Sequence, residues 1–265
     1  MADHIRQYVS KSTDADRKVF LGEFFTWSEA VASSVGYDAN LILEKVFDAA
    51  VKVKRGEAIY ERDSVIFDRV QYSWPVVAGL LNVACKNNGS LRVLDFGGSL
   101  GSSYFENLAF TRNLSDLKWG VVEQSHFVAR GRKAIEDKYI QFFSTIEECH
   151  LAIAPNVILL SNVLQYIQDY QQIVGKLSAL GIPTIVVDRT IVSSSDHDRV
   201  FVQVVPPEIY SASYPVYSLS ESLLLSTFQK NGYDLVSDFR SLSFPALGDI
   251  HSEFKGYLLQ RTEST

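Results

Sequence analysis

The sequence predicts an α/β fold built on an open, mostly parallel sheet, and three observations carry that prediction. Short apolar runs alternate with helix-like segments from residue 89 onward. One of them, Leu91-Arg-Val-Leu-Asp-Phe96, breaks into Gly97, Gly98 and Gly101 before a helical pattern resumes. Polar groups then recur at the C-terminal ends of successive runs: Asp95 to Gly101, Glu123, Ser144, Asn162 and Asp188. In an open α/β sheet those ends face the ligand crevice, so their agreement weighs more than any single motif.

The N-terminal part reads differently. The chain is polar up to Arg17, and Trp27 opens a short helix with Ala30 and Val31 behind it. Gly36-Tyr37-Asp38 is a break, with Asp38 or Asn40 as cap for a helix whose apolar side is Leu41, Leu43, Val46, Phe47 and Ala50. The polar cluster Glu61-Arg-Asp-Ser64 precedes Val65-Ile-Phe67. Trp74-Pro75 starts a helix that runs to Cys85, since proline is tolerated in a first turn. Residues 1–88 are therefore expected to form a mostly helical cap or arm with little β pattern, and residues 89–265 the main domain.

Within that domain the glycine turn leads into a helix from Ser102 to Arg112, followed by a strand from Lys118 to Glu123. A basic-faced helix from Phe127 to Tyr139 and the short strand Ile140–Phe143 come next. Asn156–Leu160 is nearly all apolar, as a central parallel strand should be. The helix Gln168–Leu180 stops at Gly181, and Thr184–Val187 is the fifth strand. Beyond it come a polar loop from Ser193 to Arg199, an extended run Val200–Val205, Pro206-Pro207, and Tyr210, Tyr214 and Tyr217. This is where a substrate wall would be inserted, near 190–217. Ser218 and Glu221 have capping-box spacing for a helix closed by Asn231-Gly232. Tyr233–Phe239 and Phe254–Leu259 are two closing strands, with Pro245, Gly248 and His251 between them.

The turn itself points to a nucleoside-type ligand. Glycine permits positive φ and close approach of a ligand to the backbone. The pattern Gly-Gly-x-x-Gly is not the G-x-G-x-x-G dinucleotide fingerprint, and Asp95 lies inside the strand end instead of after it. This placement resembles the first motif of class I S-adenosylmethionine (SAM) methyltransferases, D-x-G-x-G-x-G. Asp95, Gly97 and Gly101 match it; Ser99 stands at the middle glycine position, with Gly98 beside it. The resemblance implies that the turn of Gly97, Gly98, Ser99 and Gly101 wraps the methionine part of SAM and that Asp95 orders the turn or its waters. Glu123 resembles the second motif, where a carboxylate accepts the ribose hydroxyls. Ser144 falls in the adenine-contacting loop, and Asn162 in the turn of the fourth motif, with Gln165 and Tyr166 one helical turn on.

Nearly the whole chain resembles a group of methyltransferases associated with bacterial O-antigen or surface-polysaccharide synthesis. The residues that carry this are Trp27-Ser-Glu-Ala30, Gly36-Tyr-Asp38, Tyr60-Glu-Arg-Asp-Ser64, Tyr72-Ser-Trp74, Asp95-Phe-Gly-Gly-Ser99, Leu164-Gln-Tyr166 and Asp188-Arg-Thr190. The resemblance implies a Rossmann-like class I methyltransferase three-layer sandwich: a seven-stranded mixed sheet with an antiparallel last strand, plus the N-terminal helical cap or arm. It also implies SAM as cofactor and O-methylation of a sugar or polysaccharide-precursor acceptor, with N-methylation of a small molecule as the alternative. A non-catalytic SAM-binding scaffold stays open because Ser99 departs from the motif. A nicotinamide-dependent oxidoreductase is disfavoured by the glycine spacing and the two closing strands.

For chemistry, His197 is the candidate general base, since imidazole titrates near neutrality. Asp188 and Asp198 are candidates to orient it, Arg189 or Arg199 to hold an anionic acceptor, and Tyr166 to line the cleft. Arg62 and Asp63 would reach over the same cleft from a cap. Composition excludes some classes. A formal charge of −6 without a basic stripe gives no case for nucleic acid. Two cysteines, Cys85 and Cys149, suggest neither a disulfide scaffold nor a metal knot, and no ligand spacing predicts a metal. The N-terminus lacks an apolar export segment and no run reaches transmembrane length, so a cytoplasmic enzyme is expected.

Overall fold

The computed structural model describes residues 19–35, 39–62, 64–205, 212–241 and 250–262. Gly36-Tyr37-Asp38, Asp63, Pro206-Pro207, Tyr210, Pro245 and Gly248 lie outside these residues. In chain order, β1 (Phe20–Phe24), α1 (Trp27–Ser33), α2 (Ala39–Lys54), the hairpin β2–β3 (Tyr60–Arg62, Val65–Phe67) and α3 (Trp74–Lys86) come first. Strand and helix then alternate as β4 (Ser90–Phe96), α4 (Ser102–Thr111), β5 (Asp116–Val122), α5 (Ser125–Ala134), β6 (Ile140–Phe143), α6 (Ile146–Ile153), β7 (Val157–Ser161), α7 (Tyr170–Ala179) and β8 (Thr184–Ser193). The chain closes with β9 (Arg199–Val204), β10 (Ser213–Ser220), α8 (Glu221–Lys230), β11 (Tyr233–Arg240) and β12 (Glu253–Arg261).

Strands β6, β5, β4, β7 and β8 lie side by side in that order and are all parallel. β12 runs antiparallel to β8, and β11 pairs antiparallel with β12 on its far side. This is the expected seven-stranded mixed sheet with a reversed last strand. Alternate residues of each strand feed opposite faces. Val93, Trp119, Phe142 and Leu159 pack with Val46, Leu80, Tyr104 and Phe127 from α2 to α5. Leu94, Ile158, Leu160 and Tyr257 pack with Cys149, Leu177 and Phe228 from α6 to α8. The result is a three-layer sandwich.

Three further strands extend this sheet to ten. β10 runs parallel to the end of β8, with Leu219 and Ser220 opposite Val192 and Ser193. β9 pairs antiparallel with β10, and β1 antiparallel with β9. The N-terminal part thus contributes strands as well as helices. Phe20-Leu-Gly-Glu-Phe24 carries too little alternation to announce itself, because Gly22 interrupts it and its partner is remote in sequence.

The pivot is β8, buried along all ten residues. Its first half is flanked by β7, which ends at Ser161 opposite Asp188. Beyond that point β10 takes the same edge, and between the two neighbours Arg189 adopts φ 53°. At the helix starts, Thr26 and Glu29 form a full capping box for α1. The box expected at Ser218–Glu221 is displaced. Ser218 stays in β10 and shares a hydrogen bond with Ser252 (2.7 Å), while Ser220 is the N-cap of α8 and accepts from Leu223 N. Glu221 instead faces Lys255 at 2.6 Å and accepts from the Tyr257 hydroxyl. Among the described residues no helix is long and apolar enough to cross a membrane.

Candidate functional site

The sheet order reverses between β4 and β7, and the crevice at that switch point is where an open α/β sheet takes its ligand. After β4 the backbone turns through left-handed conformations at Gly97 (φ 73°), Ser99 (φ 54°) and Gly101 (φ 91°). At Gly97 the glycine is obligatory twice over, since a Cβ there would also collide with the Val163 side chain beyond β7. The two turns touch. Gly97→Ala is expected to lower stability by about 2–4 kcal/mol, from strain plus overpacking. Urea unfolding measures it, and a loss below roughly 0.5 kcal/mol, the ordinary surface range, would refute the contact.

Asp95 lies beneath this turn, 1% exposed. Trp119 donates its indole N–H to Oδ2 at 2.9 Å, and Oδ1 has no hydrogen-bond partner among the described residues. Burial pushes the carboxyl up to about 7, against the Trp119 bond, which favours the charged form. A Cβ on Gly98 would lie 2.5 Å from this carboxyl, so the turn packs directly on it. Glu123, half-buried just past β5, accepts from Gln124 N at 2.7 Å and from Ser99 N. It ties the glycine turn to the neighbouring strand end, and burial raises its pKa. Ser144 is exposed in the turn after β6, its backbone N–H donating to Glu148 at 3.1 Å.

The turn after β7 is stitched to β8. Asn162, at φ 55°, donates its N–H to Asp188 O (2.9 Å). Gln165 Nε2 donates both to Asn162 Oδ1 (2.7 Å) and to Arg189 O (3.1 Å). Gln165 is fully buried, and its Oε1 has no hydrogen-bond partner among the described residues. Asn162, just past β7, and Arg189, within β8, are left-handed non-glycine residues, the kind of strain that persists where surrounding structure over-determines it. Tyr166 points the other way: its hydroxyl donates to Gln203 of β9 (3.0 Å), and its ring meets Tyr214 of β10 edge-on.

A buried ionic cluster stands beside this turn. Arg189 meets Glu106 of α4 at 2.5 Å and Asp188 at 3.4 Å, all three at most 5% exposed. Tyr60, from β2, donates to Glu106 at 3.2 Å, and Ser102 donates to buried Glu61. Asp188 also accepts from Ser241 (2.7 Å) and Ser73 (3.4 Å). Burial raises the Asp188 pKa, partly offset by Arg189. For Arg189 the two carboxylates outweigh burial and hold the guanidinium charged. Sequence reasoning missed Glu106, Tyr60 as its partner, Trp119, Ser73 and Ser241. The available signal was a glutamate set among Tyr104, Phe105 and Leu108 in an otherwise apolar helix.

Asp188, Arg189 and Asn162 are therefore brought together, whereas His197 is elsewhere. Its side chain is 71% exposed, with Nδ1 2.6 Å from Asp196. Among the described residues no hydrogen bond or ion pair links it to Asp188. Asp198 accepts from Tyr170 (3.1 Å) and from Ser220 N (2.7 Å). Arg199 forms a two-pronged pair with Glu23, both contacts at 2.8 Å. Arg62 lies against the rings of Tyr60 and Phe67. Among the described residues no group of three His, Cys, Asp or Glu could hold a metal ion.

No protein-family model matches the chain, and no curated protein matches it significantly. Among solved structures it is similar to the N-terminal domain of EvdMO1 in the presence of SAH and D-fucose. That likeness has 12% identity and a TM-score of 0.49, over 86% of this chain and 98% of the other. It is also similar to the Burkholderia thailandensis 1,6-didemethyltoxoflavin-N1-methyltransferase, with 12% identity, TM-score 0.45 and coverage of 95% and 98%. A SAM-dependent methyltransferase from Clostridium acetobutylicum gives 11% identity, TM-score 0.47 and coverage of 85% and 100%.

Proposed function

We propose that this protein is a SAM-dependent methyltransferase that methylates an oxygen of a sugar-like small molecule, such as a polysaccharide precursor. The observation that carries the reading is the joined pair of strand ends beside the switch point: the Gly97–Gly101 turn after β4, lying over Asp95, is bonded through Ser99 N to Glu123 after β5. The donor set suits the cofactor. Glu123, at the end of the second strand, offers carboxylate oxygens suited to a ribose diol. Asp95 Oδ1 is an unfilled buried acceptor beneath the turn, and Glu61 adds negative charge beside it, as a ligand with a sulfonium and an ammonium group would want. A pyrophosphate would meet carboxylates here instead of cations.

When bound, the cofactor supplies an electrophilic methyl group for in-line displacement by a nucleophile. The chain's own residues position and enclose. The glycine turn, Ser99 and Asn162 hold the methionine side, and Ser144 borders the adenine side. Gln165 fixes the Asn162 turn against β8. Asp188, oriented by Arg189, Ser241 and Ser73, is assigned to accept the hydrogen bond of the acceptor hydroxyl, aim its oxygen and take its proton as the oxygen is methylated. Tyr166 braces this wall against β9. We give this role to Asp188 and not to His197, whose side chain is exposed and has no hydrogen bond or ion pair to Asp188 among the described residues.

Calorimetric titration with S-adenosylhomocysteine and with NADH tests the reading. Saturable binding of the first alone is expected, weakened at least about tenfold by Glu123→Ala, equivalent to roughly 1.4 kcal/mol. Binding of NADH instead would move the protein to hydride chemistry, and binding of neither would remove the proposal.

A further inference from the structure

We infer that Arg62 is the residue of this crevice that binds a ligand carboxylate, an assignment that deepens the methyltransferase reading and rests on it. The hairpin β2–β3 puts it there. As β2 steps from Tyr60 to Glu61, its partners on α4 step from Glu106 to Ser102, one helical turn toward the start of the helix. Arg62 comes one residue further along the strand, a rise of about 3.3 Å. That brings it to the end of α4 from which the Gly97–Gly101 turn leads back over Asp95.

Its guanidinium is held in place but not spent. It lies against the rings of Tyr60 and Phe67, 5.7 and 5.8 Å from their centres, and these cation–π contacts position it. Nε is buried and has no hydrogen-bond partner among the described residues. Arg62 as a whole is half-buried, and its two terminal nitrogens, also without an acceptor among the described residues, are open to solvent. The other arginines considered for an anion differ: Arg189 is paired with Glu106 and Asp188, and Arg199 with Glu23. Two parallel N–H groups on a planar fork match the two oxygens of a carboxylate. The cofactor has a matching need. Its methionine end carries an ammonium and a carboxylate, and Asp95 and Glu61 complement only the ammonium. A single guanidinium among carboxylates suits one negative charge better than the two of a phosphate. A carboxylated acceptor is the second source of the same group.

Removing the carboxylate from the ligand and the guanidinium from the protein tests the assignment. Wild type, Arg62→Gln and Arg62→Lys would be titrated calorimetrically with S-adenosylhomocysteine and with its decarboxylated analogue, which keeps the adenosine, thioether and ammonium. Wild type is expected to prefer the carboxylated ligand by at least about tenfold, as a charge-assisted pair supplies. Arg62→Gln should abolish that preference and leave the affinity for the analogue unchanged. Arg62→Lys, which keeps the charge and loses the fork, should recover part of it. A second arm uses the same proteins loaded with S-adenosylhomocysteine and compares methyl glucuronide with methyl glucoside. A preference for methyl glucuronide that depends on Arg62, with none in the first arm, assigns the carboxylate to the acceptor. If Arg62→Gln does not fold, Arg62→Lys carries both comparisons through a reduced preference. The inference is overturned if folded variants weaken both members of each pair alike, as a purely structural arginine would, or change neither preference. It is also overturned if wild type shows no preference in either arm. Failure of wild type to bind either adenosyl ligand is a separate readout and removes the methyltransferase reading itself.

Discussion

Arg189→Ala is expected to destabilise the protein by roughly 3–5 kcal/mol at neutral pH, the range for breaking a buried ion pair from one side. The arginine holds Glu106 and Asp188 together within a site at most 5% exposed, and removing it leaves two carboxylates buried with no cation between them. Chemical unfolding would show the loss as a lower midpoint with unchanged slope. The loss should shrink as pH falls, because burial already raises the Asp188 pKa and protonation removes the repulsion. Pairing Arg189→Met with Glu106→Gln should recover part of the stability, since both charges then disappear together. A single-variant loss under about 1 kcal/mol, the range of an exposed pair, would mean that the cluster is solvated.

The second large effect is a pH dependence centred on Asp95. Its folded pKa is raised from 3.8 to about 7, chiefly by burial. The native state therefore binds this proton more tightly than the unfolded chain. Its stabilising contribution is complete below about pH 4 and is lost as pH rises through about 7. At one to two kcal/mol per unit, the span amounts to about 4 kcal/mol, of which roughly 3 lies between pH 5 and 8. Asp95→Asn keeps an acceptor for the Trp119 indole but cannot ionise. Glu123 and Asp188, also raised, titrate in both proteins and cancel in the difference. Urea unfolding of the two proteins across this range should show wild type declining relative to the variant. Parallel curves would rule out a strongly raised Asp95.

The parts of the fold that were legible in the sequence are those with local signatures. A central parallel strand is a continuous apolar run, so Val157–Leu160 could be read directly. The position of the glycine turn and of the acidic residue after β5 followed from spacing alone. The apolar run alone ends β8 at Val187 and puts Asp188-Arg-Thr190 at its C-terminal edge, whereas the strand continues to Ser193. In the structure these residues are buried, with Arg189 paired to Glu106 and Asp188 bonded to Ser241. Glu106 and Arg189 are 83 positions apart, and no periodicity connects them. His197 attracted attention through its chemistry, but exposure is a property of the folded chain and is not written in residue type.

The remote pairing of the first strand has a kinetic consequence. Among the described residues β1 pairs only with β9, Phe20 lying opposite Gln203, so this pairing cannot form until the far half of the chain exists. At ribosomal speeds of about 5–20 residues per second that interval is roughly 10–40 s. Through it Phe20 and Phe24 have no sheet to dock on, while α2, α3 and β4 to β7 can already assemble. Synthesis order and sheet order therefore run in opposite senses at this edge, where the first strand made waits for the ninth.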